Sequence, residues 1–440
     1  MRSPPSRGHW RLYVSRKARQ LDRLLQQQQA ERFPSVAAAV VRRGEIVWAN
    51  AVGSADYDAG EDATPGTQYR IGSITKTFTA TSIMQLRDAG TLDLDDRLGQ
   101  HLDDVGDGSP TIRRMLAHIS GLQREVGEMF VDLSTPTEAD LQVGFALEPA
   151  RAHHYSNLAY GLLGRVVAAK SGVPYMKYVD EHVIKPLGLE RTTWRSAAPR
   201  AQGYLVDDYA RTVWAEPELD LGGVAAMGQL WSTVEDLSRW ATFLACGEDG
   251  VLDPKTVEEM WFPQVMYYPD DWVLGWGLGL MLYNRGGTIF GGHGGAMPGH
   301  LAGVYVNRKT RIGAAALTNS GSRAEMDAFA IELIEKAMEL WPEPIEPWRP
   351  EEEPPADVRA LLGVWWSEGT QFVFTWESGS LRAKVSGTAP GRAETTFERD
   401  GDGWIAAAGR ERGERLRVDG DELVWAGYPF TRTQQPFAAS

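Results

Sequence analysis

Cysteine is nearly absent: Cys246 stands alone in the chain. No disulfide can form within the chain, and no thiolate metal site can be built. A small core residue is the ordinary role for such a cysteine. Long apolar runs are also missing, so no stretch reads as a membrane span. The first 20 residues hold six Lys or Arg and no acid. No apolar stretch follows them that would make a secretory signal, since Leu12-Tyr13-Val14 is too short. A cytoplasmic protein with a basic, leader-like arm is the expectation. Positive charge is scarce overall: 45 basic residues face 59 acidic ones, for a net charge of -14. That balance argues against nucleic acid as a general partner. A small-molecule or peptide substrate is the expected partner, and nothing in the composition sets an oligomeric state. No internal repeat is visible. His153-His154 is the one tempting metal pair, but adjacent histidines lack helical i,i+4 spacing and no partner cluster accompanies them. No metal or other cofactor is expected.

What is present is an ordinary globular composition, 43% apolar and 24% charged over 440 residues. That length suits a core of normal size plus a second domain. After the arm, Leu21, Leu24 and Leu25 give a short helix one apolar face. Residues 36–41 and 45–51 are apolar runs separated by Arg42-Arg43-Gly44, the pattern of a β-hairpin. From residue 73 to about 240 the pattern is helical and loop-rich. Helices are expected over 75–89, 111–118, 157–170 and 175–184. Ser232-Thr233-Val234-Glu235 reads as a capping box opening another, with Leu237, Trp240, Phe243 and Leu244 as its buried stripe. Strands return at 276–283, 288–293, 301–307 and 312–318, and an amphipathic helix over 323–340 closes this part. Strands at both ends with helices between fit one antiparallel sheet carrying a large helical insertion.

Residues 341–355 are rich in Pro and Glu, which favours a stiff, extended linker. Beyond it lie a short helix and eight short aromatic or β-branched runs, set apart by Gly/Asp turns at roughly 8–12-residue spacing, as in a small barrel or sandwich. The expected organisation is an arm and helix over 1–30, a main domain over 31–340, the linker over 341–355 and a small β-barrel over 356–440.

Ser73 and Lys76 form the only S-x-x-K in the chain. Residues three apart share a helix face, so the amine can reach the hydroxyl. A serine hydroxyl is a weak nucleophile until a base assists it. Ser73 would also sit at a helix N-terminus, where free N–H groups favour a developing oxyanion. A helix-opening serine beside a solvated lysine would give the same four letters. Further pieces are two Y-x-N triplets. Tyr155-Ser156-Asn157 opens a helix, whereas Tyr305-Val306-Asn307 lies inside a strand. A phenol beside an ammonium can ionise more easily and relay a proton, which favours Tyr155. Last comes Gly291-Gly292-His293-Gly294-Gly295, in which His293 ends an expected strand. Its flanking glycines, Gly294 and Gly295 among them, let a substrate backbone approach.

In this order, S-x-x-K, Y-x-N and H-x-G resemble the motif set of serine β-lactamases and penicillin-binding peptidases. The arrangement looks most like the branch holding class C β-lactamases, DD-peptidases, D-aminopeptidases and esterases. Leu92-Asp93-Leu94-Asp95-Asp96 and Leu116-Ala117-His118-Ile119-Ser120-Gly121-Leu122 are similar to family stretches and lie in family order. The likeness covers about residues 31–340. It implies an α+β fold, an antiparallel sheet flanked by helices with a large helical insertion, and a serine hydrolase that forms an acyl-enzyme on esters or amides. By the resemblance, Ser73 is acylated, Lys76 and Tyr155 share base and acid work, and Asn157 holds the substrate amide. His293 takes the place of a lysine common in β-lactamases, and the N–H groups of Ser73 and Ala296 form the oxyanion hole. The family needs no metal. Gly294 departs from relatives that carry threonine there, whose hydroxyl helps to bind a substrate carboxylate. That change turns the expected substrate from β-lactams and peptide C-termini toward neutral esters, aminoacyl amides and small or D-amino-acid-containing peptides. Restoring a hydroxyl at 294 is expected to narrow the gap. A peptide-cyclising thioesterase is the runner-up, and a catalytically idle binding module the reading from another class. Leu362-Gly363-Val364-Trp365 is similar to the opening of the lipocalin-like barrel that several relatives append.

Overall fold

The computed structural model describes residues 16–434, apart from 128, 208, 323–324, 346, 351, 389–393, 402 and 420–421. Most of the expected basic arm lies outside the described residues. The chain divides into two units, Met1–Glu343 and Pro344–Ser440.

The first unit is built on a nine-stranded antiparallel sheet. Three strands come from its N-terminal part: β1 (Ser35–Arg42), β2 (Glu45–Asp56) and β3 (Glu61–Asp62). Six come from its C-terminal part: β4 (Val265–Tyr268), β5 (Asp271–Trp276), β6 (Met281–Arg285), β7 (Thr288–Met297), β8 (His300–Asn307) and β9 (Ile312–Thr318). Their order is β3-β2-β1-β9-β8-β7-β6-β5-β4. The two parts meet where β1 pairs with β9, Val36 opposite Thr318 and Arg42 opposite Ile312. This is the sheet drawn from both ends that the sequence pattern implied.

The longer helices are α1 (Arg16–Ala30), α2 (Thr75–Asp88), α3 (Asn157–Ser171), α4 (Val234–Cys246) and α5 (Met326–Leu340). They cover both faces of the sheet. Val36, Ala38 and Val40 of β1 pack with Leu21 and Leu25 of α1 and with Phe329 and Ile334 of α5. Ala37, Ala39 and Val41 point the other way, into a larger core with α2, α3 and α4. A strand covered on both faces needs apolar residues at every position, which is why β1 reads as a continuous run and not as an alternation. Its small alanines let the helices sit close.

Helix α2 is the inner helix of that larger core. Its Thr75, Lys76, Thr77, Thr79, Thr81 and Ser82 are all buried. Three of the hydroxyls are satisfied by nearby helical backbone: Thr77 donates to the Ile74 carbonyl at 2.7 Å, Thr81 to Thr77 at 2.9 Å and Ser82 to Phe78 at 3.0 Å. Such back-bonding removes the desolvation cost of a polar helix in a core. Lys76 has no backbone acceptor within its own helix and reaches Asn157 and Met227 across the fold.

Three expectations need correction. The run 276–283 is two strands, β5 and β6, joined by a turn. At Gly279 the backbone φ is +80°, and a Cβ there would lie 2.2 Å from that of Ala80, so the glycine lets the turn press on α2. The strand expected to end at His293 continues to Met297 as β7, paired with β8 through Gly294 opposite Gly303. The glycine-rich stretch is therefore sheet and not loop. Finally, α4 is capped by Thr233, whose hydroxyl accepts from the Asp236 N–H at 3.2 Å. Ser232 is hydrogen-bonded to Thr192 instead, and Asp236 accepts from the Arg191 N–H and the Thr192 hydroxyl, so no reciprocal box forms.

In the second unit, eight strands run as a meander: β10 (Gly363–Ser367), β11 (Thr370–Glu377), β12 (Ser380–Val385), β13 (Glu394–Asp400), β14 (Gly403–Ala408), β15 (Arg415–Asp419), β16 (Glu422–Trp425) and β17 (Tyr428–Phe430). Trp366 and Thr431 exchange both backbone hydrogen bonds, at 2.8 and 2.9 Å, and close the sheet on itself. Trp365, Phe374, Phe397, Trp425 and Phe430 fill the interior. This is the small all-β barrel expected from the strand spacing.

Candidate active site

The site is assembled around the turn that opens α2. Ser73 lies in a short 3-10 turn, Gly72–Ile74, that runs directly into the helix. Gly72 has φ +48°, and a Cβ there would lie 2.7 Å from the Ala296 nitrogen. A Cβ at Gly295 would fall 1.9 Å from the Ile71 carbonyl oxygen. Both glycines are thus required by close approach: they let β7 lie against the turn and bring the Ala296 backbone beside Ser73.

Lys76 is fully buried. Its Nζ lies 3.0 Å from Ser73 Oγ, 2.7 Å from Asn157 Oδ1 and 2.8 Å from the Met227 carbonyl oxygen. Burial pulls its pKa well below the ordinary lysine value; Glu125 opposes this and Arg124 adds to it. A neutral amine has two N–H groups and one lone pair. In the neutral form that burial favours, the two fixed acceptors, Asn157 Oδ1 and the Met227 carbonyl, would take the N–H groups and leave the lone pair for the Ser73 hydroxyl. Asn157 is committed at its other end as well, since Nδ2 donates to both Glu125 carboxylate oxygens at 2.9 Å.

Tyr155 lines the cleft beside the Ser73 side chain. Lys76 Nζ sits 4.9 Å from the centre of its ring. Burial nevertheless pushes the phenol above its ordinary pKa. The expectation that the amine would ease its ionisation is therefore overturned: desolvation of the phenolate outweighs a neighbour that burial itself holds toward neutrality. The His118 ring stacks on Tyr155 at 4.2 Å, and its Nδ1 accepts from the Ser156 N–H at 3.1 Å. His153 stacks on Trp276 at 4.9 Å. Of the tempting His153-His154 pair, His153 thus contributes to an aromatic wall. The second triplet is elsewhere: Tyr305 packs into the core beneath α5, and Asn307 closes its strand by donating to the Ile289 carbonyl.

His293 is buried in β7, and its Nδ1 lies 2.5 Å from the Gly294 carbonyl oxygen. That contact places the proton of the neutral ring on Nδ1. Burial lowers the histidine to about 3, so it is uncharged at neutral pH. Ser73, Tyr155, Asn157, His293, Gly294, Gly295 and Ala296 all line one cleft of about 850 Å³, with Lys76 beneath its floor. The eight residues marked in the sequence thus come together.

Other residues of the cleft had escaped notice. Glu125 and Arg124 follow the Ser120-Gly121 stretch at a spacing with no motif. Trp276 sits where a single strand was expected. Asp327 lies within a helix whose acids look like ordinary solvated ones. Only the missing hydroxyl at Gly294 pointed to something unusual nearby.

Comparison with known proteins finds matches over both units of the chain. The beta-lactamase family model matches residues 21–339. The chain belongs to the beta-lactamase family. A domain of unknown function, DUF7586, matches residues 354–432. Beta-lactamase-like protein 2 of Dictyostelium discoideum is 32% identical over 303 residues, covering 63% of this chain and 55% of that protein. The chain therefore spans about half the length of this relative. Penicillin-binding protein 4 of Amycolatopsis lactamdurans is 30% identical over 368 residues, covering 76% of this chain and 94% of that one. Among solved structures, a D-stereospecific amidohydrolase from Streptomyces sp. is 27% identical with a TM-score of 0.62, over 72% of this chain and 97% of its own. No helix among the described residues is long and apolar enough to cross a membrane.

Proposed function

We propose that this beta-lactamase-family protein cleaves esters or amides through an acyl-enzyme on Ser73, with small or D-amino-acid-containing compounds as substrates. The observation that carries the reading is the 3.0 Å contact between Ser73 Oγ and a buried Lys76 whose other two partners are fixed acceptors. As Ser73 Oγ bonds to the substrate carbonyl carbon, its proton passes to the Lys76 lone pair. The N–H groups of Ser73 and Ala296 stabilise the oxyanion. The leaving alkoxide or amine takes its proton from the Tyr155 phenol, which recovers one through Lys76. Water then hydrolyses the ester on Ser73 by the reverse proton path. Asn157 orients Lys76 in this resting arrangement, and it would release Glu125 to hold a substrate carbonyl. The D-amino-acid part of the reading is supported by likeness to the D-stereospecific amidohydrolase.

The test is fluorophosphonate labelling read by mass, beside turnover of p-nitrophenyl esters and D-aminoacyl p-nitroanilides. Wild type should carry one adduct on Ser73. Ser73→Ala should lose the adduct and at least about 10³-fold in turnover. A folded wild type that neither labels nor turns over any of these compounds would refute the reading and favour a binding module.

A further inference from the structure

Gly294 and Gly303 face each other across β7 and β8. A side chain at Gly303 would run into backbone, and one at Gly294 would have to displace the Asp327 carboxylate. A Cβ on Gly303 would lie 2.5 Å from the Met326 carbonyl oxygen, and one on Gly294 would lie 2.2 and 2.5 Å from the two Asp327 carboxylate oxygens. The two glycines form a trough in the sheet, and the first turn of α5 lies in it. The side chain brought into the cleft by this packing is that of Asp327. The hydroxyl missing at position 294 is therefore a replacement as well as a loss. Where relatives with threonine present a hydrogen-bond donor, this chain presents a carboxylate.

Among the described residues, the surroundings of that carboxylate are short of positive charge. The two arginines that line the cleft among them are engaged, Arg124 with Glu125 at 3.2 Å and Arg285 with Glu335 at 3.2 Å. No cation among the described residues pairs with Asp327. The Tyr305 side chain lies near it, its hydroxyl donating to Met281 Sδ at 3.5 Å, and Glu325 also lines the cleft. His293, on the neighbouring strand position, is neutral.

We propose that Asp327 is the specificity residue of this cleft: its carboxylate, seated in the Gly294–Gly303 trough, receives a primary ammonium group that the substrate carries close to the scissile carbonyl. The inference rests on the acyl-enzyme reading of Ser73 and names its substrate class as aminoacyl esters and amides with a free amine. Burial raises Asp327 to about 7, so it ionises at small cost at neutral pH, and a bound ammonium would favour the charged form. A substrate with a carboxylate at that place meets repulsion instead. The apolar remainder of an aminoacyl group has Leu301, Met281 and Ile331 to pack on in the same cleft.

The experiment compares the p-nitrophenyl esters of D-phenylalanine and of 3-phenylpropionic acid, which differ by the amine alone. Wild type should prefer the amine-bearing ester by about ten- to hundredfold in kcat/KM, the range of one charge-assisted hydrogen bond. In Asp327→Asn that preference should fall toward one, chiefly through KM, and Asp327→Glu should restore part of it. In parallel, calorimetry on Ser73→Ala should show D-phenylalaninamide binding tenfold or more tighter than 3-phenylpropionamide, a difference lost in Ser73→Ala/Asp327→Asn. Equal kcat/KM for the two esters in wild type, or a preference that survives Asp327→Asn, overturns the assignment. Turnover of both esters without preference would leave the acyl-enzyme reading standing and remove only Asp327. If neither ester is turned over, the hydrolase reading is what fails, and calorimetry decides on Asp327 alone.

Discussion

Adding even one methyl group at position 294 should damage the protein, and threonine should damage it more. A Cβ there would lie 2.2 Å from Asp327 Oδ1 and 2.7 Å from its Cγ, against an ordinary van der Waals contact of 3.4 Å or more. The overlap exceeds 1 Å and falls on the Asp327 carboxylate, which would have to leave the trough. Overpacking of this kind costs typically about 1–3 kcal/mol. We therefore expect Gly294→Ala to lower thermal stability by that amount and Gly294→Thr by at least as much. Neither change should create penicillin turnover, which reverses the expectation drawn from the sequence that a hydroxyl at 294 is simply what is missing. Removing the obstacle should rescue the fold. In a cycle with Asp327→Ala, the double variant should be more stable than the sum of the single changes by at least about 0.5 kcal/mol, the signature of two residues in contact. Thermal or urea denaturation of the four proteins measures this directly. If Gly294→Ala lies within about 0.5 kcal/mol of wild type and the two changes add, the trough argument is wrong.

Further expectations concern the relay, acid stability and the two units. Lys76→Ala and Tyr155→Phe should each cost most of the activity, and the double variant should be little worse than either, because groups in one proton path lose function non-additively; losses that multiply would show that they act independently. His300 is buried between Tyr69 and Trp231, and burial lowers it to about 3. The unfolded chain holds that histidine near 6.5, so it binds the extra proton first. His300 therefore contributes stability that is full above about 6.5 and is lost as pH falls toward 3. Melting temperatures of wild type and His300→Gln, taken at steps from neutral to mildly acidic pH, should show the wild type falling further. A constant difference between the two would refute this. A chain ended after Glu343 should fold by circular dichroism and still label at Ser73, since the two cores around the sheet draw on residues up to Trp341 and the barrel core begins at Val358. A folded truncation without labelling would count against Ser73 acting within the first unit alone.

Much of the fold was legible because its signals are local. β1 and β9 are short apolar runs bounded by turn residues, and α3 ends at Gly172, which adopts φ +72° as the C-cap glycine pattern requires. The barrel strands carry alternation and Gly/Asp turns that need no tertiary information. What was misread depends on contacts between distant segments. The break after Trp276 exists because Gly279 must pass Ala80. The glycine run at 291–295 looked like a loop because glycine usually breaks strands, whereas here Ile71, Asp327 and the neighbouring backbone occupy the space of the missing side chains. Spacing marked Ser73, Lys76, Tyr155 and Asn157, but no spacing could mark Glu125 or Asp327, whose place in the cleft follows from packing alone.

The chemistry of the relay was the least legible part, because it turns on desolvation. From the sequence, an ammonium beside a phenol suggests that each stabilises the other's charge. In the fold both are buried, and burial moves the lysine down and the tyrosine up, each toward its neutral form. Glu125, beyond Asn157, pulls Lys76 the other way, but burial is the larger effect. An amine with a lone pair and a phenol with its proton form a complementary pair: one can take the Ser73 proton while the other gives one up to the leaving group. Under the acyl-enzyme reading, the division of labour between Lys76 and Tyr155 follows from their shared burial, and a more open floor to the cleft would abolish it by letting water restore the ammonium.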